Sequence, residues 1–281
     1  MPAATVGTMH DSPGRTQTLK CALDPARAAA LHVALDRPGD PPGAGDPLPP
    51  FWHQVYFWDP QRPAALGPDG HPATGSGLIP DPGLPLRMWA GGRLTFHAAP
   101  RLGTPAVKTT TVEAVTEKTG RTGRLGFVTL RHRIVQSGTL CVTEHQDLVY
   151  RDPPQDRTPA PPPQAPTDET HAETARFDPT LLFRYSALTF NGHRIHYDAD
   201  HARDTEGYAG LVVHGPLLAQ RLIHLAEARL GPLAAFAFRG TSALTLPDTA
   251  TLCLNGRRLW VRAPDGRLCM EASATPAASP G

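Results

Sequence analysis

Three proline-rich stretches constrain this chain more than any other feature of its sequence. Of its 281 residues 32 are proline, and most of them cluster within residues 38–50, 60–85 and 153–166. Because proline lacks a backbone N–H and fixes φ, each stretch predicts a loop or a stiff linker. The third stretch is the best domain boundary, although a surface loop within one domain is the alternative. The predicted division is an N-terminal unit at 1–151, a linker at 152–175 and a C-terminal unit at 176–281.

Before the linker, the sequence predicts a strand, a short helix and then a run of strands. Thr16–Leu23 has the composition of a strand, and Asp24-Pro25 supplies the N-cap and first residue of a helix over Ala26–Leu35. The aromatic segment Phe51–Trp58 indicates a second, buried helical segment. The runs that follow are rich in Val, Thr and Phe and are separated by turn residues, which predicts an antiparallel meander. Its strands are Leu94–Ala98, Val107–Glu117, Leu125–Gln136 and Leu140–Arg151.

After the linker, the same plan repeats. Leu182–Thr189 is a strand candidate, and Gly215-Pro216 opens a helix with one apolar face that Gly231-Pro232 ends. Asn255-Gly256 is typical of the two-residue turn of a β-hairpin. The strands predicted in this half are Ala235–Leu246, Thr249–Leu254, Arg257–Ala263 and Arg267–Ser273.

The repeated order predicts an α+β double hot-dog, in which two antiparallel sheets each wrap on a central helix and pair edge to edge. A helix has to bury its apolar face on a curled sheet, and two such units can form one continuous sheet. A helix-and-sheet pair of another topology is the alternative.

Charge and hydropathy exclude several classes of function. The formal net charge is +1, which predicts neither a nucleic-acid nor an anionic membrane partner. The longest apolar runs, such as Leu211-Val212-Val213, are far too short to span a bilayer. Residues 1–15 resemble a loose tail without the apolar centre of a signal peptide. Four widely spaced cysteines predict reduced thiols and a cytoplasmic location, not a cysteine zinc cage.

Residues 190–198, FNGHRIHYD, concentrate polar groups that could do chemistry. His193 and His196 are spaced like a metal-binding pair, with Asp198, His201 or His214 as a further ligand. Catalytic zinc needs three well-placed ligands, however, and Gly192 indicates a turn, so we predict no metal here. A polar loop of hydrogen-bonded histidines without chemistry is the structural alternative.

A third interpretation, acid–base chemistry, gains support downstream. His214-Gly215 precedes the apolar helix, and backbone N–H groups at a helix start are unpaired and partly positive. Such a group can hold a thioester carbonyl oxygen as it becomes an enolate. In a hydration of an α,β-unsaturated thioester, His196 would transfer the proton, Asn191 would position the water and the Gly215 N–H would polarise the carbonyl.

The segment from Thr189 to His196, followed by Val212–Gly215, resembles the hydratase motif of MaoC-like proteins. The longer strings FRYSALTFNGHRIHYD and EGYAGLVVHGPLLA are most similar to one branch. That branch contains the type 2 hydroxyacyl-thioester dehydratases and the mesaconyl-C4-CoA (3-methylfumaryl-CoA) hydratases. In the first half, residues 66–72, 84–92 and 118–120 resemble the N-terminal region of the same branch.

The resemblance implies a catalytic second hot-dog, a non-catalytic first one and a coenzyme A or carrier-protein thioester as substrate. It implies reversible hydration without a metal or redox cofactor, and a homodimer. The catalytic histidine falls on His196 and the helix glycine on Gly215. The motif's aspartate falls on Asn191, whose amide cannot take a proton at neutral pH. His196 would therefore act alone as the base, or with help from Asp198 or Glu206.

A free carboxylate on a branched C5 acyl group needs a cation, and arginine can grip it with two hydrogen bonds. Arg194 stands where the motif has proline, and Arg184 and Arg87 are further candidates, each with a surface salt bridge as its alternative. Tyr197 and His214 are the remaining predicted substrate contacts.

The branch implies interconversion of mesaconyl-C4-CoA and citramalyl-CoA. A general 3-hydroxyacyl-thioester dehydratase of the fatty-acid type is the close alternative. A hot-dog acyl-CoA thioesterase, which attacks the carbonyl carbon, and a non-catalytic acyl-CoA-binding protein also stay open. A nucleotide-dependent dehydrogenase is disfavoured, since no G-x-G-x-x-G follows a predicted strand.

Overall fold

The structure, a computed structural model, describes residues 13–75, 77–120, 123–152 and 161–278. The predicted N-terminal tail lies almost entirely outside these residues, as does the stretch 153–160 of the predicted linker. The described chain forms one ten-stranded sheet with the order β1-β3-β4-β5-β2-β7-β10-β9-β8-β6. The strands are β1 Thr16–Cys21, β2 Leu86–Phe96, β3 Ala106–Gly120, β4 Gly123–Gln136, β5 Thr139–Arg151, β6 His171–Ala175, β7 Leu233–Gly240, β8 Ala250–Asn255, β9 Arg258–Arg262 and β10 Leu268–Pro276.

The two halves meet where β2 pairs with β7. The pairing is antiparallel and runs from Gly91 opposite Arg239 to Thr95 opposite Ala235. Strands of the first half lie on one side of this seam and strands of the second half on the other, and the remaining pairs are antiparallel too. The predicted edge-to-edge pairing of two antiparallel units is therefore confirmed.

The longest helix is α3, Gly215–Leu230, and it packs on the second half of the sheet. Its apolar face is fully buried, including Leu217, Leu222 and Ile223. Gly231 follows it with a φ of 81°, a conformation that favours glycine and ends the helix as predicted. The first-half helix α1, Pro25–Ala34, begins as predicted, because the Asp24 side chain accepts a hydrogen bond from the Ala26 N–H at 2.9 Å.

The prediction of a strand over Leu182–Thr189 is wrong, because these residues belong to helix α2, Pro179–Thr189. Asp178 caps this helix by accepting a hydrogen bond from the Leu181 N–H at 2.8 Å, and Pro179 is its first residue. It is the same Asp-Pro signal that opens α1. A short run rich in leucine and aromatic residues fits a strand and a buried helix equally well by periodicity.

The first strand of the second half is instead β6, which lies within the predicted linker 152–175. It pairs antiparallel with β8 at the outer edge of the sheet. The residues before it dock on the same half: the Ala165 N–H donates to Gly266 O at 2.9 Å, and Arg262 forms an ion pair with Glu169 at 2.6 Å. The second unit therefore begins before residue 176. Most residues of β6 are exposed, so its sequence has no alternating apolar pattern from which a strand could be predicted.

The largest apolar core of the described residues extends across the seam. It includes Trp52 and Leu94 from the first half and Leu217 and Phe236 from the second. Trp52 lies in a short 3₁₀ turn, Trp52–Val55, where the sequence predicted a buried helical segment. Among the described residues there is no helix whose length and hydropathy suit a bilayer span.

Candidate active site

A cavity of about 800 Å³ lies between the two halves and is the main cavity of the described structure. Both halves contribute to its wall. Trp89 and Gln146 come from β2 and β5, whereas Leu218 and Met270 come from α3 and β10. Of the eight predicted site residues, five line it: Arg87, Asn191, His196, Tyr197 and Gly215.

His196 ends a 3₁₀ turn, Arg194–His196, and its ring is buried at the cavity wall. Its Nδ1 lies 2.8 Å from the backbone oxygen of Val212. Because a carbonyl oxygen can only accept, Nδ1 carries the proton, and Nε2 keeps its lone pair for a partner in the cavity. Burial lowers the pKa of His196 to about 3. The imidazole is therefore neutral at physiological pH and can act as a base.

His214 packs against the ring of His196. The structure corrects the prediction that His214 contacts the substrate. Its side chain is fully buried and does not line the main cavity. Its ring stacks on that of His196 with centroids 3.6 Å apart, and its Nε2 lies 2.8 Å from Ser186 Oγ. Burial, and secondarily the neighbouring histidines His196 and His193, keep the pKa of His214 well below its ordinary value.

Gly215 is the first residue of α3 and opens onto the same cavity as His196. A Cβ built on it would have Trp89 O as its nearest neighbour outside the adjacent residues and its own helix, at 3.9 Å, so no other segment crowds its backbone. Its N–H lies in the first turn, where amides have no acceptor within the helix. The stacking of His196 on His214, the residue before Gly215, brings the imidazole and the helix start together.

Asn191 lies just after α2, beyond Phe190, whose φ of 53° turns the chain into the site. The Asn191 N–H donates to Ser186 O at 2.8 Å, and its side-chain Oδ1 accepts from the His193 N–H at 3.0 Å. This bond uses one of the two lone pairs of Oδ1, whereas Nδ2 has no hydrogen-bond partner among the described residues and is the free donor toward a molecule in the cavity.

The three candidate arginines differ sharply in position. Arg194 donates to Asp198 Oδ2 at 2.7 Å and to Pro68 O at 3.1 Å, and it does not line the cavity. Arg184 is exposed on α2, also outside the cavity wall. Arg87 does line the cavity, is half-buried and has no ion-pair partner among the described residues. Because Asp198 is paired with Arg194, its carboxylate is not free to assist His196 as a base.

Tyr197 stands at the mouth of the cavity, where its hydroxyl donates to Gly192 O at 2.9 Å. Apolar side chains dominate this mouth. Six large hydrophobic residues are exposed in the described chain, and all but Val33 line the cavity. They are Leu66, Met88, Phe183, Phe190 and Tyr197. Such a mouth suits the aliphatic part of a long ligand.

The sequence did not predict that His71 and His193 lie side by side, each held by a carboxylate. His71 Nδ1 lies 2.9 Å from Asp69 Oδ2, and His193 Nε2 lies 3.1 Å from Glu206 Oε1. The two rings are neighbours, with centroids 4.3 Å apart. Although burial opposes it, the hydrogen bonds and charge of His71 lower the pKa of Asp69. A signal was present in the D-x-H spacing of the string LGPDGHP, but only the fold brings it to residue 193.

Asp69, His71 and His193 also form the one group of the described chain that could approach a metal ion, with ligand atoms within 4.8 Å of one another. Each member already makes a hydrogen bond through at least one of its side-chain atoms, however. Asp69 binds both the ring and the backbone N–H of His71, and His193 binds Glu206. These hydrogen bonds account for the cluster as a network that orients two imidazoles.

Comparison with known proteins shows the family of the chain. The family model described as hydroxyacyl-thioester dehydratase type 2 matches residues 51–246. The chain is 43% identical over 269 residues to a mesaconyl-C(4)-CoA hydratase of Chloroflexus aurantiacus, covering 92% of this chain and 95% of that protein.

Solved structures confirm the predicted fold. A MaoC-like dehydratase of Phytophthora capsici superposes with a TM-score of 0.66 at 13% identity, covering 95% of this chain and 98% of that one. A Mycobacterium tuberculosis protein described as having a double hot-dog fold gives 0.57 at 15% identity, covering 95% and 97%.

Proposed function

Because the chain belongs to the hydroxyacyl-thioester dehydratase type 2 family, we propose that it adds water to, or removes it from, the 2,3 bond of an enoyl-CoA thioester. The name of its Chloroflexus relative supports mesaconyl-C4-CoA as the substrate and citramalyl-CoA as the product. The single observation that carries the proposal is the buried, neutral His196 with a free Nε2, beside the open helix start at Gly215.

The hydration uses three groups of the chain, the Gly215 N–H, His196 and Asn191. The Gly215 N–H donates to the thioester oxygen, which gains negative charge as the enolate forms at the positive end of α3. His196 Nε2 takes a proton from water while the water oxygen bonds to the β-carbon. The same imidazole then delivers that proton to the α-carbon. Asn191 Nδ2 donates to the water oxygen and holds it in line.

The direct test is an assay of purified protein with mesaconyl-C4-CoA and with a simple 2-enoyl-CoA, run in EDTA because we propose that no metal is needed. Absorbance of the conjugated thioester should fall without release of thiol to a thiol-reactive dye. Thiol release would indicate a thioesterase instead. Folded protein that changes neither signal with either substrate would contradict the proposal, and activity that EDTA abolishes would contradict its metal-free form.

Arg87 is the residue we expect to hold the free carboxylate of the substrate. It is the candidate arginine that reaches the cavity, and its charge is not paired within the described chain. A charged hydrogen bond contributes about 1.5–3 kcal/mol. Arg87→Met should therefore raise KM for mesaconyl-C4-CoA roughly 10–100-fold. It should change KM for an uncharged 2-enoyl-CoA much less.

Arg184→Met is the matched control for this prediction, because Arg184 is exposed outside the cavity and should leave both KM values unchanged. An equal loss for both substrates in Arg87→Met would show that Arg87 does not select the carboxylate. The homodimer and the cytoplasmic location stay predictions, to be tested by sedimentation of the pure protein and by cell fractionation.

A further inference from the structure

We propose that His71, oriented by Asp69, is the second hydrogen-bond acceptor for the attacking water, supplied by the first half of the chain. The inference rests on the proposed hydration. It assigns a catalytic residue to the half that the sequence predicted to be non-catalytic.

Asn191 cannot replace a carboxylate as an acceptor for the attacking water. A carboxylate at this position would accept a hydrogen bond from water and help to activate it. Asn191 Oδ1 already accepts the His193 N–H at 3.0 Å, and when Nδ2 donates to the water, the oxygen of the same planar amide points away from that water. The attacking water then has one acceptor, His196 Nε2, for its two O–H bonds. One O–H is left without a partner.

His71 lies at the cavity wall, next to the ring that neighbours His196. Its side chain lines the main cavity, its ring is 4.3 Å from that of His193, and the His193 ring is 5.5 Å from that of His196. Asp69 Oδ2 is 2.9 Å from Nδ1, and a carboxylate accepts, so Nδ1 carries the proton. His71 Nε2 therefore keeps its lone pair, as His196 Nε2 does.

The loop that carries His71 is fixed against the second half by its backbone. A Cβ on Gly70 would lie 2.0 Å from Gly192 O, so these two segments of the chain approach as closely as glycine allows. The Arg194 N–H donates to Asp69 O at 2.9 Å, and the Arg194 guanidinium donates to Pro68 O at 3.1 Å. Arg194 thus holds this loop in place, which gives it a role other than the predicted grip on substrate.

The attacking water is then fully specified. Asn191 Nδ2 donates to one of its lone pairs, and the other lone pair attacks the β-carbon. One O–H gives its proton to His196, which passes it to the α-carbon. The other O–H donates to His71 Nε2 and remains on the product as its hydroxyl group. No atom or charge is left over.

The test compares two variants of His71 in the full chain. His71→Asn keeps a donor toward Asp69 but has no acceptor at the position of Nε2. We expect its kcat to fall about 10²-fold. KM should stay within about threefold of the wild type. His71→Gln places an amide near the position of Nε2, where its oxygen can accept, and should recover part of the loss.

Controls separate this inference from the function itself. His97→Asn changes an exposed histidine outside the cavity and should leave kcat unchanged. Wild-type kcat in His71→Asn, or a rise in KM alone, would overturn the role of His71, whereas an inactive wild type would overturn the hydratase proposal. If His71→Asn fails to fold, Asp69→Asn decides, because it frees the His71 proton to move to Nε2. Its kcat should fall at unchanged KM, and unchanged kcat would overturn the inference.

Discussion

His196→Ala should lower kcat about 10²–10⁴-fold, the contribution that a positioned acid–base group makes to a rate. In the proposed hydration the imidazole both takes the proton from water and returns it to the α-carbon, so its loss would remove two proton transfers at once. Its Nδ1 is committed to Val212 O at 2.8 Å, which fixes the reactive nitrogen toward the cavity. Steady-state kinetics with an enoyl-CoA thioester measure the effect.

His196→Asn is the matched variant, because its amide can still donate to Val212 O while it offers no Nε2. It should be as inactive as His196→Ala and closer to the wild type in thermal stability. Removal of the buried ring also removes the stacking on His214, so the unfolding temperature of each variant has to be recorded beside its rate. If His196→Ala turns over substrate at the wild-type rate, the site has been placed wrongly.

A second large effect is expected on stability at mildly acidic pH. Burial lowers the pKa of His71 and His132 to about 4 and that of His196 and His224 to about 3, from an ordinary value of 6.5. These rings stay neutral in the native state but bind protons in the unfolded chain once the pH is below 6.5. Stability is therefore complete above about pH 6.5 and is lost as the pH falls toward 4.

The size of this loss is large for a single domain. Each histidine that stays neutral in the native state should cost about 2 kcal/mol at pH 5, because a pH unit corresponds to 1.36 kcal/mol. Several such groups together approach the roughly 5–15 kcal/mol by which proteins are stable. Glu227, whose pKa burial raises to about 7, acts in the opposite direction but is a single group.

Thermal unfolding between pH 7.5 and pH 4.5 measures this prediction, and the unfolding temperature should drop steeply below pH 6.5. His224→Gln removes one titrating group outside the main cavity and should make the dependence on pH shallower by about one proton. An unfolding temperature that stays constant from pH 7.5 to pH 5 would show that these histidines are not held neutral by the fold.

Local signals explain which elements could be predicted from the sequence. Asp24-Pro25, Gly215-Pro216 and Asn255-Gly256 each act within a few residues, and the helix or hairpin that they predicted is present. Helix α2 was mistaken for a strand because its eleven residues satisfy both periodicities. Strand β6 was missed because an exposed edge strand needs no apolar face.

The same distinction holds for the site residues: local motifs could predict some of them, and contacts between distant segments bring in the others. Asn191, His196 and Gly215 were predicted from motifs and do line one cavity, whereas their roles await the kinetic tests. His71 could not be predicted as a site residue, because no local rule relates it to His193, more than 120 residues later. The arginines show the converse: residue type suggested three, but only packing could tell which one faces the cavity.

The pairing of β2 with β7 has a consequence for how such a chain can evolve. Two units that share a sheet, a core and a cavity wall depend on each other for their structure. A gene fragment encoding the second unit alone would leave β7 without its partner strand β2, and the cavity without the part of its wall that the first unit supplies. Selection must then act on both units together. A substitution in either unit is tolerated only where the other unit can accommodate it.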